Sequence, residues 1–346
     1  MFETCYDCVI VGQGIAGSLV AMQGLELGLN ILVIDEDKND NASSVAAGLV
    51  EAVSGKRWTL SYRANEWMPF AKDVYQTLER RLNLSFINDL ESYRVVLDDK
   101  QEQCIQKRLR DPILKDYIGD FITKLPFDLL CQKGAYKIRE SFSIKAPLLL
   151  NAIKIALQNR QVLRNETLDL NQIDLSQDQV LLRLKEERVH AKSLIFCQGH
   201  QLENNPFFQD LDFRPSRGDV LTFSSAKLKP HCHIVQKEWL VPIDEDRYRF
   251  GATYDWPPYD ERELKIKNKD RLVSSIEGWG IKDINLLDHQ YAFRCNLSIP
   301  HPLLQSHKAH PQLFVLGALG SKGFMSAPYM SDHFYQQHLI PKLASL

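Results

Sequence analysis

The sequence has little net charge of either sign, because its 42 Lys and Arg residues nearly balance its 44 Asp and Glu residues. A formal charge of −2 provides no broad basic field for nucleic acid, DNA and tRNA included, or for an anionic membrane. No uninterrupted apolar run approaches the roughly 18–20 residues that cross a bilayer. The N-terminal residues lack the cationic segment and the cleavage site of a secretion signal. The seven cysteines are an odd number, which favours a reduced cytoplasmic protein over a disulfide framework.

The overall composition is that of an ordinary globular protein. Hydrophobic residues make up 44% of the chain and charged residues 25%, which excludes a disordered chain, a coiled coil and a collagen-like fibre. At roughly 100–200 residues per domain, the length of 346 residues allows one large domain or two interleaved ones. We therefore expect a cytoplasmic α/β protein.

The first 35 residues contain a dinucleotide-binding pattern. A short apolar run at 8–11 suits a strand buried on both faces, and it leads directly into Gly-x-Gly-x-x-Gly at 12–17. Residues 18–28 have the apolar spacing of a helix, and a second apolar run at 31–34 ends in Asp35. This order of strand, glycine turn, helix, strand and acid is the context that the motif requires.

Each residue of the pattern has a physical task. Gly12 permits the tight turn, Gly14 lets backbone N–H groups approach a pyrophosphate, and Gly17 lets the helix pack closely on the strand. Asp35 follows at about the spacing at which a carboxylate accepts hydrogen bonds from a ribose 2′-hydroxyl. An acid without a neighbouring arginine disfavours the 2′-phosphate of NADP, so that NAD and FAD both remain open.

The rest of the chain favours FAD. Residues 41–50 are small just after the second strand, where a flavin enzyme needs space for its ribityl chain and ring. Residues 193–200 predict a buried strand ending near a glycine, and 312–317 predict another. A glycine-rich turn at 318–328 then enters a final helix, whose positive end together with Lys322 could stabilise the N1–C2=O region of reduced flavin. A plain loop is the alternative for this turn.

Taken in order, these stretches resemble the FAD-dependent amine oxidoreductases of the D-amino-acid oxidase and glycine oxidase family. The resemblance runs along the whole chain. Its elements are the motif at 9–21 with Asp35, the small residues at 43–48 followed by 54–57, the strand at 194–199, Arg-Gly-x-x-Leu at 217–221, the segments 239–242 and 251–254, Arg294, and the turn at 320–323 with Pro328.

The resemblance implies a fold and a division into domains. The fold class is α/β with an α+β substrate part, in which a Rossmann-type FAD-binding domain carries an inserted, mainly antiparallel-sheet substrate domain. We expect the FAD-binding domain at 1–85, 135–217 and 296–346, and the substrate domain at 86–134 and 218–295. Within this frame, residues 60–130 are predicted to be mainly helical, and residues 218–255 to be strands.

The resemblance also implies an activity and its residues. The family oxidises the C–N bond of a small amine or amino acid by hydride transfer from Cα to flavin N5, and the imine is then hydrolysed. Arg294 stands at the substrate-carboxylate anchor, and a surface or domain-bridging arginine is the alternative. Trp239 and Tyr254 stand at pocket walls, although both could be core aromatics. The partners are this substrate and O₂ or another electron acceptor.

FAD is expected to bind without a covalent bond, since Cys295 is offset from the attachment position of sarcosine-oxidase relatives. The expected FAD-binding residues lie in the motif, the small-residue segment, the middle strands and the C-terminal turn. They are Gly12, Gly14, Ile15, Ala16, Gly17, Asp35, Glu36, Ser43, Ser44, Ala47, Gly48, Leu168, Gln198, Gly199, Gly320, Ser321, Lys322, Gly323 and Phe324.

The sequence departs from the family at two positions near the substrate. Ile299 replaces an acid that follows the arginine, and Trp239 replaces a tyrosine. Both changes favour a substrate other than glycine. The segment 251–255 also resembles the FAD domain of the bifunctional enzyme that oxidises a carboxymethylamino group on wobble uridine in tRNA. A non-catalytic flavin-binding protein and an NAD-dependent dehydrogenase are the remaining alternatives.

No metal site is predicted. Cys5 and Cys8 have no second pair of ligands at a matching spacing. His231 and His233 lie on one face of a predicted strand, but no third ligand is identifiable.

Overall fold

The computed structural model describes residues 5–38, 41–125, 129–130, 133–176, 179–228, 231–299 and 301–345. The helices are α1 (Ile15–Glu26), α2 (Ala42–Val45), α3 (Ala64–Leu82), α4 (Asp99–Arg108), α5 (Pro112–Tyr117), α6 (Ala146–Asn159), α7 (Glu261–Gly278), α8 (Gly323–Phe334) and α9 (Ile340–Ala344). Shorter turns of 3₁₀-helix cover Leu170–Gln172 and Gly199–Asn204, and a π-helical turn covers Tyr335–Leu339. In the described ranges, no helix has the combined length and apolar character of a bilayer span.

The strands are β1 (Cys5–Tyr6), β2 (Cys8–Val11), β3 (Ile31–Asp35), β4 (Leu49–Val50), β5 (Val53–Ser54), β6 (Thr59–Leu60), β7 (Ile87–Asn88), β8 (Glu91–Val95), β9 (Ile118–Ile122), β10 (Ala135–Ile138), β11 (Phe142–Ile144), β12 (Leu163–Asn165), β13 (Ile173–Leu175), β14 (Val180–Arg183), β15 (Arg188–Ala191), β16 (Leu194–Phe196), β17 (Ser216–Ser224), β18 (Cys232–Val235), β19 (Trp239–Pro242), β20 (Arg247–Gly251), β21 (Asn285–Arg294), β22 (Leu303–Ser306) and β23 (Leu313–Gly317).

A six-stranded sheet forms the first layer, in the order β12-β3-β2-β16-β23-β22. Its strands pair in parallel, except that β22 runs antiparallel to β23. Alternate residues of the central strands enter two cores, one shared with α1, α3, α6 and α8 and the other with the sheet β1-β15-β14-β13. Burial on both faces explains why the central strands are continuous apolar runs in the sequence.

The predicted strand–turn–helix–strand unit is present as β2, α1 and β3. Gly12 has φ +100, and a Cβ there would meet the carbonyl oxygen of Cys197 at 2.6 Å. A Cβ on Gly17 would lie 1.8 Å from the carbonyl oxygen of Gly12. Both positions therefore exclude any larger residue, the first by conformation and close approach and the second by helix–strand packing.

An eight-stranded sheet forms the second layer, in the order β21-β17-β20-β19-β18-β8-β10-β9. Only the β18–β8 pair is parallel among these strands. One face packs its apolar side chains against α7. The register places Val220, Gly251, Trp239, Val235 and Arg94 in one row across five strands on the opposite face. The prediction of strands at 218–255 is confirmed.

The prediction of a mainly helical segment at 60–130 is wrong in part. The segment contains α3, α4 and α5, but also β7, β8 and β9. Residues 92–95 of β8 alternate polar and apolar side chains, but four residues are the shortest alternation that indicates a strand. The domain boundaries stay predictions, although β10 continues the eight-stranded sheet beyond residue 134.

His233 is a buried imidazole on strand β18, on the same face of the second sheet as Val235. Its Nε2 lies 2.9 Å from the hydroxyl oxygen of Ser143, and its Nδ1 has no hydrogen-bond partner in the described part of the chain. Burial lowers the pKa of His233 to about 4, because the interior disfavours the charged ring. The folded chain therefore holds this histidine neutral at physiological pH.

We predict that this imidazole makes the fold sensitive to mild acid. The unfolded chain takes up a proton at His233 near pH 6.5, whereas the folded chain does so only near pH 4. Between these values the unfolded state binds more protons, so stability falls as pH falls. The free energy of unfolding should drop by about 2 kcal/mol from pH 7.5 to pH 5 on this account.

Urea unfolding at a series of pH values tests this prediction. The variant His233→Gln should lose that part of the pH dependence, because an amide does not titrate. His231→Gln is the matched control, since His231 is exposed two residues earlier. An unchanged pH profile in His233→Gln contradicts the prediction.

Candidate active site

A cleft of 520 Å³ separates the two sheets. The first wall is formed where β2, β3, β16 and β23 end, and the second by the face of the eight-stranded sheet opposite α7. Ligands of open α/β sheets bind outside the carboxyl ends of the strands. The volume is also within the range of small-molecule sites.

The first wall carries the features of a dinucleotide cradle. Helix α1 begins after Gly14, which has no side chain to cap it, and the Ile15 amide donates to Ser43 Oγ at 3.0 Å. The other first-turn amides and the positive helix end are available to a pyrophosphate. Asp35 accepts hydrogen bonds from the backbone amides of Gln13 at 2.7 Å and Asp37 at 2.8 Å. These amides orient the carboxylate, which keeps lone pairs for ribose hydroxyls. The residues present therefore fit the adenosine diphosphate part of FAD.

Most of the expected FAD-binding residues are brought together on the cleft wall. They are Gly12, Gly14, Ile15, Ala16, Asp35, Glu36, Ser43, Ala47, Gly48, Leu168, Gln198, Gly199, Gly320, Ser321, Lys322, Gly323 and Phe324. Two others do not line it. Gly17 packs against Gly12, and the hydroxyl of Ser44 donates to the carbonyl oxygen of Asn41 at 2.9 Å. That they bind the cofactor remains a prediction.

Arg294, at the end of β21, presents its guanidinium to the cleft. It donates to the carbonyl oxygens of Thr253 at 3.2 Å and Arg217 at 3.4 Å, and it stacks 4.7 Å from the ring centre of Tyr254. Burial lowers the pKa of Arg294, yet an arginine remains charged in proteins. Within the described residues, no carboxylate pairs with it.

Gly218 makes room for this guanidinium. A Cβ at Gly218 would lie 2.3 Å from one terminal nitrogen of Arg294 and 2.6 Å from its Cζ. The opposing atoms belong to a group held by hydrogen bonds and a ring contact, so an added methyl group would displace it. The glycine of the Arg-Gly-x-x-Leu segment therefore leaves the space that Arg294 on the neighbouring strand β21 occupies.

A buried polar network lies on the opposite side of β17. Arg217 and Asp219 are both 0% exposed and form a bidentate ion pair with distances of 2.9 and 3.0 Å. The Asp219 carboxylate also lies 2.9 Å from Nε2 of His289 and 2.9 Å from Nδ2 of Asn268. Burial acts to raise the pKa of Asp219, but the hydrogen bonds outweigh it and the pKa is lowered.

This network also supports the arginine in the cleft. Arg217 contributes the carbonyl oxygen that Arg294 contacts, and Thr253, which contributes the second carbonyl, accepts at its hydroxyl from the amide of Asp219 at 3.0 Å. Sequence reasoning missed the network. The one feature of the sequence that pointed to the network was the pair of opposite charges, Arg217 and Asp219, on either side of Gly218.

The two predicted wall aromatics also line the cleft. Trp239 lies in the central row of the second sheet. Tyr254 is 48% exposed and lies 5.4 Å, between ring centres, from Trp256, which is 49% exposed. Tyr254 therefore belongs to the mouth of the cleft rather than to a core.

Three charged residues form an inner-wall cluster, which we define as Glu51, Arg94 and Lys322. Arg94 Nη2 donates to the Glu51 carboxylate and, at 2.9 Å, to the carbonyl oxygen of Val53. Lys322 Nζ donates to the backbone carbonyl oxygen of Glu51 at 3.2 Å. Burial lowers the pKa of Lys322, while Glu51 acts to raise it. Sequence reasoning identified Lys322 but missed its two neighbours, which meet it only through the fold.

Cys295 does not have the environment of a reactive thiolate. Its sulfur accepts from the amide of Ala318 at 3.4 Å, and burial raises the pKa of the thiol to about 11. The described part of the chain contains no group of three or more His, Cys, Asp or Glu residues that could hold a metal ion.

We predict that Asp219→Asn destabilises the fold strongly. The substitution leaves Arg217 buried without a counter-charge, which costs about 3–5 kcal/mol of unfolding free energy. Urea denaturation measures the loss. Asp212→Asn is the matched control, because Asp212 pairs with Arg214 on the surface and surface pairs contribute little. Equal stability of the two variants contradicts this role of Asp219.

The family model described as "FAD dependent oxidoreductase" (DAO) matches residues 7–337. Two curated relatives are named "tRNA 5-methylaminomethyl-2-thiouridine biosynthesis bifunctional protein MnmC". The protein from Aeromonas hydrophila is 23% identical over 378 residues and that from Aeromonas salmonicida 24% over 369 residues, and 94% of this chain is covered in both. The chain spans 55% of the length of each relative.

Similar solved structures cover nearly the whole chain. Glycine oxidase from Bacillus cereus has a TM-score of 0.83 at 19% identity, with 97% of this chain and 98% of that chain covered. Iminodiacetate oxidase from Chelativorans sp. BNC1 has a TM-score of 0.79 at 16% identity, with 96% and 95% covered. These similarities establish the predicted fold class. The family match decides for FAD over NAD, and the chain belongs to the DAO family of FAD-dependent oxidoreductases.

Proposed function

We propose that the protein oxidises the C–N bond of a small amine or amino acid that carries a carboxylate. The observation that supports this most directly is the guanidinium of Arg294, which faces the cleft and forms no ion pair within the described residues. Buried charges are ordinarily paired. A planar guanidinium matches a carboxylate with two parallel hydrogen bonds, so a substrate carboxylate would complete the site.

The residues of the cleft would divide the work of binding and orientation. Arg294 would fix the carboxylate, while Trp239 and Tyr254 would limit where the carbon chain can lie. FAD, when bound, supplies the acceptor for the hydride that leaves the substrate Cα, and the imine is then hydrolysed. Little acid–base chemistry is asked of the protein, so positioning accounts for most of its contribution.

The adenine-dinucleotide end of FAD would be held by the first wall. The α1 N-terminus at Gly14 would contact the pyrophosphate, and Asp35 would accept from the ribose. Lys322 and the N-terminus of α8 would place positive charge near the electron-rich part of the cofactor. The names of the similar structures, which are oxidases of glycine and iminodiacetate, support an amino-acid substrate with a carboxylate.

We predict that a carboxylate-bearing amine bleaches the yellow holoenzyme without oxygen and that Arg294→Ala weakens this reaction selectively. A panel of amino acids and N-alkyl glycines identifies the substrate from the loss of visible absorbance. Removing the guanidinium should raise KM by about 30- to 1,000-fold, corresponding to roughly 2–4 kcal/mol of a charged contact. For the matching amine without a carboxylate, Arg294→Ala should change KM little.

Two further variants sharpen this test. Gly218→Ala should reproduce the loss of carboxylate selectivity, because its Cβ would displace the guanidinium of Arg294. Arg214→Ala, at an exposed arginine paired with Asp212, is the matched control and should react normally. Bleaching by no member of the panel would overturn the proposed reaction, and equal losses with and without a substrate carboxylate would overturn the role of Arg294.

A carboxymethylamino group on a tRNA nucleotide is a second candidate substrate. The names of the curated relatives support it, as does the exposed pair of Tyr254 and Trp256 at the mouth of the cleft. Aromatic side chains stack on nucleobases. A base held outside the cleft would leave its side arm free to reach Arg294.

For this second candidate, we predict that modified tRNA bleaches the flavin. Trp256→Ala should weaken the reaction with tRNA but not the reaction with a free amino acid. Loss of one stacked base costs about 1–3 kcal/mol, or roughly 5- to 150-fold in KM. Bleaching kinetics with tRNA and with a free amino acid separate the two candidates. Trp279→Phe in the buried core controls for a general effect of changing a tryptophan. If modified tRNA causes no bleaching even when it is in large excess over the enzyme, this candidate fails.

A further inference from the structure

The inner-wall cluster has hydrogen-bonding groups that the chain leaves unused. Glu51 is 4% exposed and Arg94 is 6% exposed, yet Oε2 of Glu51 and Nε of Arg94 are buried and have no partner among the residues that the structure describes. In the described residues the ammonium of Lys322 donates to one acceptor only, the carbonyl oxygen of Glu51, although it has three donors. Leaving a buried polar atom without a hydrogen bond is unfavourable. All three residues line the cleft, so a ligand there would satisfy them.

The chemistry of the open groups restricts this ligand. Glu51 offers an acceptor, whereas Arg94 and Lys322 offer donors. A simple anion would leave the Glu51 oxygen facing a like charge, and a simple cation would oppose two positive groups. A planar group that combines an N–H with carbonyl oxygens satisfies all of them. Such a group is an imide.

The location of the cluster indicates where the imide comes from. Glu51 follows the small-residue segment at 43–48, and Lys322 precedes α8 at the C-terminal turn. Arg94 lies on the second sheet in the row of Trp239. The three residues therefore stand where both cofactor-associated segments meet the substrate-side sheet. The pyrimidine ring of FAD has an imide edge, formed by C2=O, N3–H and C4=O.

We propose that Glu51 accepts a hydrogen bond from flavin N3–H while Lys322 and Arg94 donate to the carbonyl oxygens beside it. The cluster would thereby orient the isoalloxazine ring and adjust its affinity for electrons. The proposal rests on the FAD of the DAO family and is independent of which amine the protein oxidises.

The alkaline spectral transition of the bound flavin, which reports loss of the N3 proton, tests the proposal directly. A carboxylate beside N3 opposes formation of the N3 anion. Glu51→Gln should therefore lower the midpoint pH of the alkaline transition by about one to three pH units. Glu238→Gln is the matched control: Glu238 is also 4% exposed but is not part of the cleft wall. Circular dichroism and the bound-flavin content establish that each variant is folded and loaded.

A second measurement needs no variant. Wild-type apoprotein should bind 3-methyl-FAD about 10- to 100-fold more weakly than FAD, because the methyl group removes the N–H and leaves the Glu51 oxygen unpaired. Fluorescence titration gives both dissociation constants. The difference should shrink in Glu51→Ala if that variant folds.

Equal binding of the two flavins by the wild type overturns the proposal. The same is true if Glu51→Gln and Glu238→Gln have the same alkaline transition. If Glu51→Gln changes KM for the amine but leaves the spectrum unchanged, the cluster serves the substrate instead of the flavin. Failure of the proposed amine oxidation has a different signature, because no amine would bleach the flavin while both spectral results would stand.

Discussion

The register of strand β17 is the constraint on which the site depends. Successive side chains of a strand point to opposite faces, so Gly218 and Val220 face the cleft while Arg217, Asp219 and Leu221 face away from it. A slip of one residue would put a buried ion pair into the space that the guanidinium of Arg294 occupies. Hydrophobic burial behind the sheet therefore fixes the place of the arginine in front of it.

Arg217, Arg294 and Arg94 lie on the two faces of the eight-stranded sheet. Their interaction partners distinguish an arginine that stabilises the fold from one that is available to a ligand. Arg217 is fully buried with two hydrogen bonds to Asp219, so its charge is satisfied by the fold. Within the described residues, Arg294 contacts carbonyl oxygens and a ring but no carboxylate, whereas Arg94 pairs with Glu51 and keeps one nitrogen without a partner. An unpaired charge on Arg294 and an unpaired buried N–H on Arg94 are both unfavourable, so these two arginines are better explained by molecules that enter the cleft.

Much of the first wall could be predicted, because its requirements are local. Gly12 needs a positive φ and Gly17 needs contact with a backbone oxygen, and both demands appear in the sequence as fixed spacings around buried apolar runs. Strand β8 was missed in this way, since its alternation covers only residues 92–95 and its place is set by pairing with the distant strand β18 and with β10. Gly218 was noted within a motif, but its effect on Arg294 arises across two strands.

The sequence by itself determined the α/β class, the dinucleotide turn and the order of the segments that surround the cleft, because these follow from periodicity and steric demands within about thirty residues. Only the tertiary structure decided that Glu51, Arg94 and Lys322 meet. It also decided that the Ser44 hydroxyl bonds to Asn41 instead of lining the cleft, and that Tyr254 lies at the mouth of the cleft. The physical reason is that strand pairing sets these distances, and residues far apart along a chain have no local pattern that records their contact.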